Sequence, residues 1–172
     1  ITMEFKEVDN LVLVIGKTEG HLDQSLFART ILDEKNGPPP EVNLFNEKNN
    51  GESILNLIEK GYVKSAHDIS LGGLLVAISK MCIKGNKGIK INKSKNLINE
   101  IEYFFAEDQG IYLIDVNKED LKEVTKILNK NSVHHEELGI ITQNDMIINE
   151  KTKVTIDELK SYYTNWLSKY MS

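Results

Sequence analysis

The chain has 172 residues, a formal net charge of -5 and a sequence pI of about 5.4. One domain's length of ordinary globular composition, 40% hydrophobic and 27% charged, excludes wholesale disorder and any need for disulfides or metal to hold a core. The acidic balance argues against a nucleic-acid partner, the single arginine, Arg29, argues against an arginine fork for phosphate, and the longest apolar run, Leu11–Ile15, is far too short to span a bilayer.

The lone Cys82 supplies neither a disulfide framework nor a cysteine metal cluster and fits a reducing cytoplasm. Residues 1–10 carry Glu4, Glu7 and Asp9 and are no signal peptide. The chain opens on Ile1 rather than Met, so it is expected to continue upstream.

Leu11–Ile15 is a continuous apolar run with β-branched Val12, Val14 and Ile15, ends at Gly16 and reads as a buried strand. A helix is expected from about Asp23 to Asp33, with Leu26, Phe27, Ile31 and Leu32 apolar, ended by Asn36-Gly37-Pro38-Pro39-Pro40. Val42 to Lys60 predicts a second helix with Leu44, Phe45, Ile54, Leu57 and Ile58 apolar. Asn49-Asn50-Gly51 is its candidate interruption and Gly61 its stop. Tyr62–His67 predicts a strand, and Leu74, Leu75, Ala77, Ile78, Met81 and Cys82 a helix over Gly72 to Lys84.

Ile89–Ile91 is a candidate strand. Phe104–Ala106 and Ile111–Val116 read as two more, joined by Glu107-Asp108-Gln109-Gly110. Asn117 is the expected cap of a helix to Lys130. His134–Thr142 and Met146–Ile148 predict strands joined by a turn. Thr155 and Glu158 form a capping box opening a terminal helix, whose Leu159, Tyr162, Tyr163, Trp166 and Tyr170 read mainly as core. Elements mixed without strict alternation predict an α/β (α+β) two-layer sandwich: one domain, a mixed sheet, helices on one face.

Two segments could carry chemistry. Ser65-Ala66-His67-Asp68-Ile69-Ser70-Leu71-Gly72-Gly73 joins a strand to a helix. His67 and Asp68 arrive at the sheet's edge, and the glycines can turn backbone N–H groups towards a ligand. Capping by Asp68 or Ser70, with His67 bonded internally, explains the same residues equally well. Glu107, Asp108, Gln109 and Gly110 place two carboxylates and an amide between apolar runs, where a solvated turn is the plainer reading. Gly20, Gln24 and Ser25 sit before a helix but lack phosphate-loop spacing, so capping by Asp23 or Ser25 is favoured. His134 and His135 point to opposite faces of a strand and cannot chelate one metal.

Five segments in register resemble one family. They are Leu11–Gly16, Gly20-His21-Leu22-x-Gln24-Ser25, Gly37-Pro38-Pro39-Pro40-x-Val42-x-Leu44, Ser65–Ser70 with Gly72-Gly73-Leu74, and Phe105-x-Glu107-Asp108-Gln109-Gly110-x-Tyr112. The family is the C-terminal domain of the synthetase subunit of phosphoribosylformylglycinamidine synthase, small bacterial form, in the aminoimidazole ribonucleotide synthetase superfamily. The likeness reaches the Trp166-Leu167 segment.

The resemblance implies a fragment (1–10 a lead-in, 11–172 the domain) of an ATP-dependent carbon–nitrogen ligase of purine biosynthesis. Formylglycinamide ribonucleotide, ATP and glutamine-derived ammonia give formylglycinamidine ribonucleotide, ADP and phosphate. It implies ATP and Mg2+ in the parent enzyme, none held tightly by this domain alone, and no catalytic residue or metal here. The implied partners are the other domains of the synthetase, a glutaminase subunit and a small bridging subunit, with no nucleic acid and no membrane.

For the site, the resemblance implies one cleft with His67, Asp68, Ser70, Gly72, Gly73, Glu107, Asp108, Gln109 and Gly110. These are relics of substrate binding or neighbours of an auxiliary nucleotide. Leu71, where the family usually has an acidic residue, and Asp23, where glycine is frequent, depart from the pattern. Pro38–Pro40 and Glu107–Gly110 argue against other superfamily enzymes. A non-catalytic interaction module is the alternative from a different class.

Overall fold

The computed structural model describes residues 1–92 and 99–171, and their side chains except at 166–169. In chain order the elements are β1 (Leu11–Ile15), α1 (Leu26–Ile31), α2 (Leu44–Glu59), β2 (Val63–Asp68), α3 (Gly73–Gly85), β3 (Gly88–Ile91), α4 (Glu100–Phe105), β4 (Tyr112–Val116), α5 (Leu121–Lys130), β5 (His135–Thr142), β6 (Asp145–Ile148), β7 (Thr152–Thr155) and α6 (Ile156–Met171). The strands form one seven-stranded sheet in the order β2-β4-β1-β5-β3-β6-β7. Every described pair is antiparallel except β3 with β6, so the sheet is mixed as expected.

The helices cover both faces rather than one. Val12, Val14 and Leu113 pack with Leu74, Ile78 and Met81 of α3, Tyr103 and Phe104 of α4, and Ile156 of α6. Leu11, Leu13, Ile15 and Ile114 pack on the other side with Ile54 and Leu57 of α2 and Val124 and Leu128 of α5. The α+β class holds, and the layering is corrected to helix, sheet, helix. The reason was in β1 itself: five consecutive apolar residues leave no face for water, which means cover on both sides.

Other departures have local causes. Phe104–Ala106 is not a strand: Asn99 caps α4 by accepting the Glu102 N–H, so the helix starts in polar residues ahead of the aromatic pair. Asn49-Asn50-Gly51 does not break α2, because the Asn49 and Asn50 amides bond outward to the Asn131 and Gly110 carbonyls. The expected helix at Asp23–Asp33 shrinks to Leu26–Ile31, capped by Ser25. Asn117 precedes a 3-10 turn, Lys118–Asp120, and its side chain caps nothing. Strand β7 went unpredicted in its polar sequence.

The capping box is as expected: Thr155 N–H donates to the Glu158 carboxylate, and Glu158 N–H donates to the Thr155 hydroxyl. The terminal aromatic stripe is not core, since Tyr162, Tyr163 and Tyr170 are exposed. Trp166 lies outside the described side chains.

Residues 1–10 are woven into the domain. Phe5 is buried, Ala66 N–H donates to the Thr2 carbonyl, and Lys6 N–H donates to the Asp115 carboxylate. Among the described residues no helix is long and apolar enough to cross a membrane.

Candidate functional site

The residues singled out in the sequence gather around the loop between α4 and β4, and its two carboxylates do different work. Glu107 Oε1 accepts the Leu26 N–H at 2.7 Å and the Gly72 N–H at 2.8 Å. One carboxylate thus ties the starts of α1 and α3, where unpaired N–H groups favour an anion. Asp108 Oδ2 accepts the Thr18 hydroxyl at 2.6 Å, the Glu19 N–H at 3.0 Å and the Gly20 N–H at 3.1 Å. Both backbone positions that could cradle a phosphate are filled by the domain's own acids.

The glycines are accordingly spent. Gly72 and Gly73 are buried, and the Gly73 N–H donates to the Ser70 carbonyl. Ser70 is exposed, and its side chain caps nothing in α3. Gly20, Gln24 and Ser25 are likewise structural. Gly20 feeds Asp108, Ser25 caps α1, and the Gln24 amide donates to the carbonyls of Lys35 and Gly37.

His67 and Asp68 part company. His67 pairs with Leu113, on the α3 side of the sheet. Its Nδ1 lies 3.2 Å from Asp68, while its buried Nε2 has no hydrogen-bond partner among the described residues. Asp68 pairs with Tyr112, which packs on the α2 side. Burial pushes the Tyr112 phenol up, assisted by the Glu47 and Asp68 carboxylates, so Asp68 stands near the α2 side without lining its cleft.

That cleft has a volume of about 530 Å3 and is lined by Gly16, Lys17, Glu19, Glu41, Asn43, Asn46, Glu47, Asn50, Asp108, Gln109, Ser132 and His134. Asp108 and Gln109 enter it, and Gly110 packs beside it against Glu47. Neither His67, Gly72 nor Gly73 lines it. Among the described residues four carboxylates face one lysine, and Lys17 is already paired with Glu19 at 2.8 Å. The electrostatics disfavour phosphate. Four carboxamides, a serine and a histidine suit a neutral or cationic ligand rich in donors and acceptors.

The α2 contribution was missed in the sequence. Asn43, Asn46 and Asn50 fall at helical spacing, a polar stripe that could have signalled a lined face. Among the described residues, no group of three or more His, Cys, Asp or Glu side chains is placed to hold a metal ion.

Sheet, layers and cleft define a three-layer α/β/α domain that offers carboxylates and carboxamides, rather than basic groups, along an open edge. The chain belongs to the family described as AIR synthase related protein, C-terminal domain, matched over residues 7–149.

It is 64% identical over 171 residues to the phosphoribosylformylglycinamidine synthase subunit PurL of Pelagibacter ubique, covering 99% of this chain and 23% of that protein. The chain thus spans about a quarter of the length of the curated relatives it matches. Solved structures of Thermotoga maritima PurL share the fold. The form complexed with FGAR superposes with a TM-score of 0.75 at 18% identity, covering 92% of this chain and 29% of that one. The form complexed with ATP gives 0.70 at 16%, covering 92% and 27%.

Proposed function

We propose that this chain is the C-terminal-type domain of an ATP-dependent synthetase that makes formylglycinamidine ribonucleotide in cytoplasmic purine biosynthesis. The observation that carries the reading is the 64% identity maintained across 99% of the chain with the Pelagibacter PurL subunit. In this reading ATP phosphorylates the amide oxygen of formylglycinamide ribonucleotide. Ammonia then attacks the activated carbon, and phosphate leaves. ATP and Mg2+ are held by the remaining domains, and the 172-residue chain alone is inactive. A glutaminase and a bridging subunit supply the ammonia and complete the assembly, in keeping with a solved PurLQS structure from Thermotoga maritima.

The role of this domain is to wall one side of a ligand cleft. Asp108 and Gln109 face the substrate or nucleotide there, with Gly110 and Asp68 nearby. Glu107 acts through the backbone N–H groups of Gly72 and Leu26, holding the starts of α3 and α1 against the loop, with Gly73 packed beside it. His67 and Ser70 belong to the α3 side and to contacts with the rest of the polypeptide. The acid lining supports a division of labour in which phosphates are gripped elsewhere.

The test is phosphate release by the full-length gene product from ATP, formylglycinamide ribonucleotide and ammonia. Release that requires all three is expected. Its absence, together with failure to rescue a purine auxotroph lacking the synthetase subunit, overturns the reading.

A further inference from the structure

The segment from Asn36 to Asn46 is unlike the rest of the chain. Glu41 is its single charged residue, although 27% of the whole sequence is charged. Its apolar side chains face solvent: Val42 is 55% exposed, Leu44 76% and Phe45 75%. The sequence pattern puts Leu44 and Phe45 among core residues of α2. The structure instead turns them outward in the first turn of the helix.

The segment is also held rigid. The His21 imidazole bonds the Pro38 carbonyl at 3.0 Å, and the Gln24 amide donates to the carbonyls of Lys35 and Gly37. Three consecutive prolines, Pro38 to Pro40, stiffen the approach to α2. An exposed apolar surface that is clamped from behind is preorganised for contact rather than left over from folding. Its polar neighbours Glu41, Asn43 and Asn46 line the cleft. The apolar ledge and the cleft therefore share one edge.

We propose that the ledge Pro38–Phe45 is the docking face for another domain of the same polypeptide, seated so that it closes the cleft. The occupant is fixed by length and continuity. The relatives are roughly four times longer than this chain, so most of the polypeptide lies outside these residues. Ligand clefts form preferentially between domains. A surface that rims a half-open cleft is covered by whatever completes it. The proposal rests on the synthetase reading for the existence of that further chain.

The test uses the full-length gene product carrying Leu44→Cys or, as a control, Leu55→Cys. Leu55 is on the same helix, is 61% exposed, and lies outside the ledge. Maleimide labelling at each position is followed by mass spectrometry in native and urea-unfolded protein. Labelling at position 44 is expected to slow at least about tenfold on folding, and at position 55 less than about threefold. Labelling at position 44 at the unfolded rate overturns the proposal. So does equal slowing at both positions, which would mean cover not specific to the ledge. Protection at 44 that appears only as the protein dimerises with concentration assigns the ledge to a second copy and also overturns it. Synthetase activity is measured on the same preparations, so a failed functional reading is told apart from a failed ledge.

Discussion

Replacing Asp108 probes how the cleft loop is held. The residue is 8% exposed, and one of its oxygens collects three hydrogen bonds, from Thr18, Glu19 and Gly20. A bond to an ionised acceptor is worth about 1.5–3 kcal/mol when its donor has no alternative. Here Glu19 is exposed and Thr18 and Gly20 are half-buried, so the donors regain water after truncation and about 1 kcal/mol per bond applies, near the ordinary net value. Asp108→Ala should therefore cost about 3 kcal/mol. Asp108→Asn keeps an oxygen for the same donors and should cost about 1 kcal/mol. For a chain of this size the two melting temperatures should separate by roughly 4–8 °C. Urea unfolding followed by circular dichroism, with matched thermal melts, measures both. Equal midpoints for the two variants, or an alanine variant within about 0.5 kcal/mol of the parent, would show that Asp108 does not anchor the loop.

Three further outcomes are expected. Gly73→Ala should cost about 3 kcal/mol or more, because φ is +73° and the new Cβ would lie 2.7–2.8 Å from the backbone of Phe105 and Ala106. Gly61→Ala, with φ +77° and nothing among the described residues within 4 Å, should cost only about 1–2 kcal/mol in chemical unfolding, and a reversed order refutes the packing account. Burial, with Glu7 nearby, holds the Asp115 carboxyl above the usual carboxylate range despite its bonds to Lys6, Asn10 and Ser65. Its protonated form therefore stabilises the fold at low pH, and that contribution is lost as pH rises through the raised value. The stability of Asp115→Asn minus that of the parent should grow with pH across that window in urea titrations, and a flat difference contradicts it. The Cys82 thiol is buried and pushed up to about 12 by desolvation, so it should resist iodoacetamide at pH 8 and react at the rate of unfolding.

The buried strands were readable because apolar runs such as Leu11–Ile15 and Ile111–Ile114 have few alternative environments. The capping box at Thr155 was readable because both partners are three residues apart and local. The outward turn of Leu44 and Phe45 was not. Periodicity reports which residues are apolar, and a surface awaiting another domain is as apolar as a core. The cleft was half legible. Asp108 and Gln109 stand out as polar residues between apolar runs. Ser132 and His134 reach the cleft only through the pairing of β5 with β1, a long-range fact with no local signature. That Glu107 and Asp108 would spend themselves on the domain's own backbone is likewise a property of the folded chain. The sequence shows two carboxylates beside glycines, and only distances reveal that the acids already fill the glycine-rich turns.

The place of β1 in the middle of the sheet has a consequence for synthesis. Its two partners, β4 and β5, begin at Tyr112 and His135, so β1 must wait until the chain has been made as far as β4 before any ladder bond can form. At roughly 5–20 residues per second, that interval is on the order of ten seconds. Throughout it an unpaired Leu-Val-Leu-Val-Ile segment is emerging or free, the kind of edge that pairs with the wrong neighbour. Almost no early hairpin is available to nucleate the fold from its N-terminal half, and loop closure must precede reward. Translation speed and chaperone access between the synthesis of β1 and that of β4 should therefore bear on the yield of this domain.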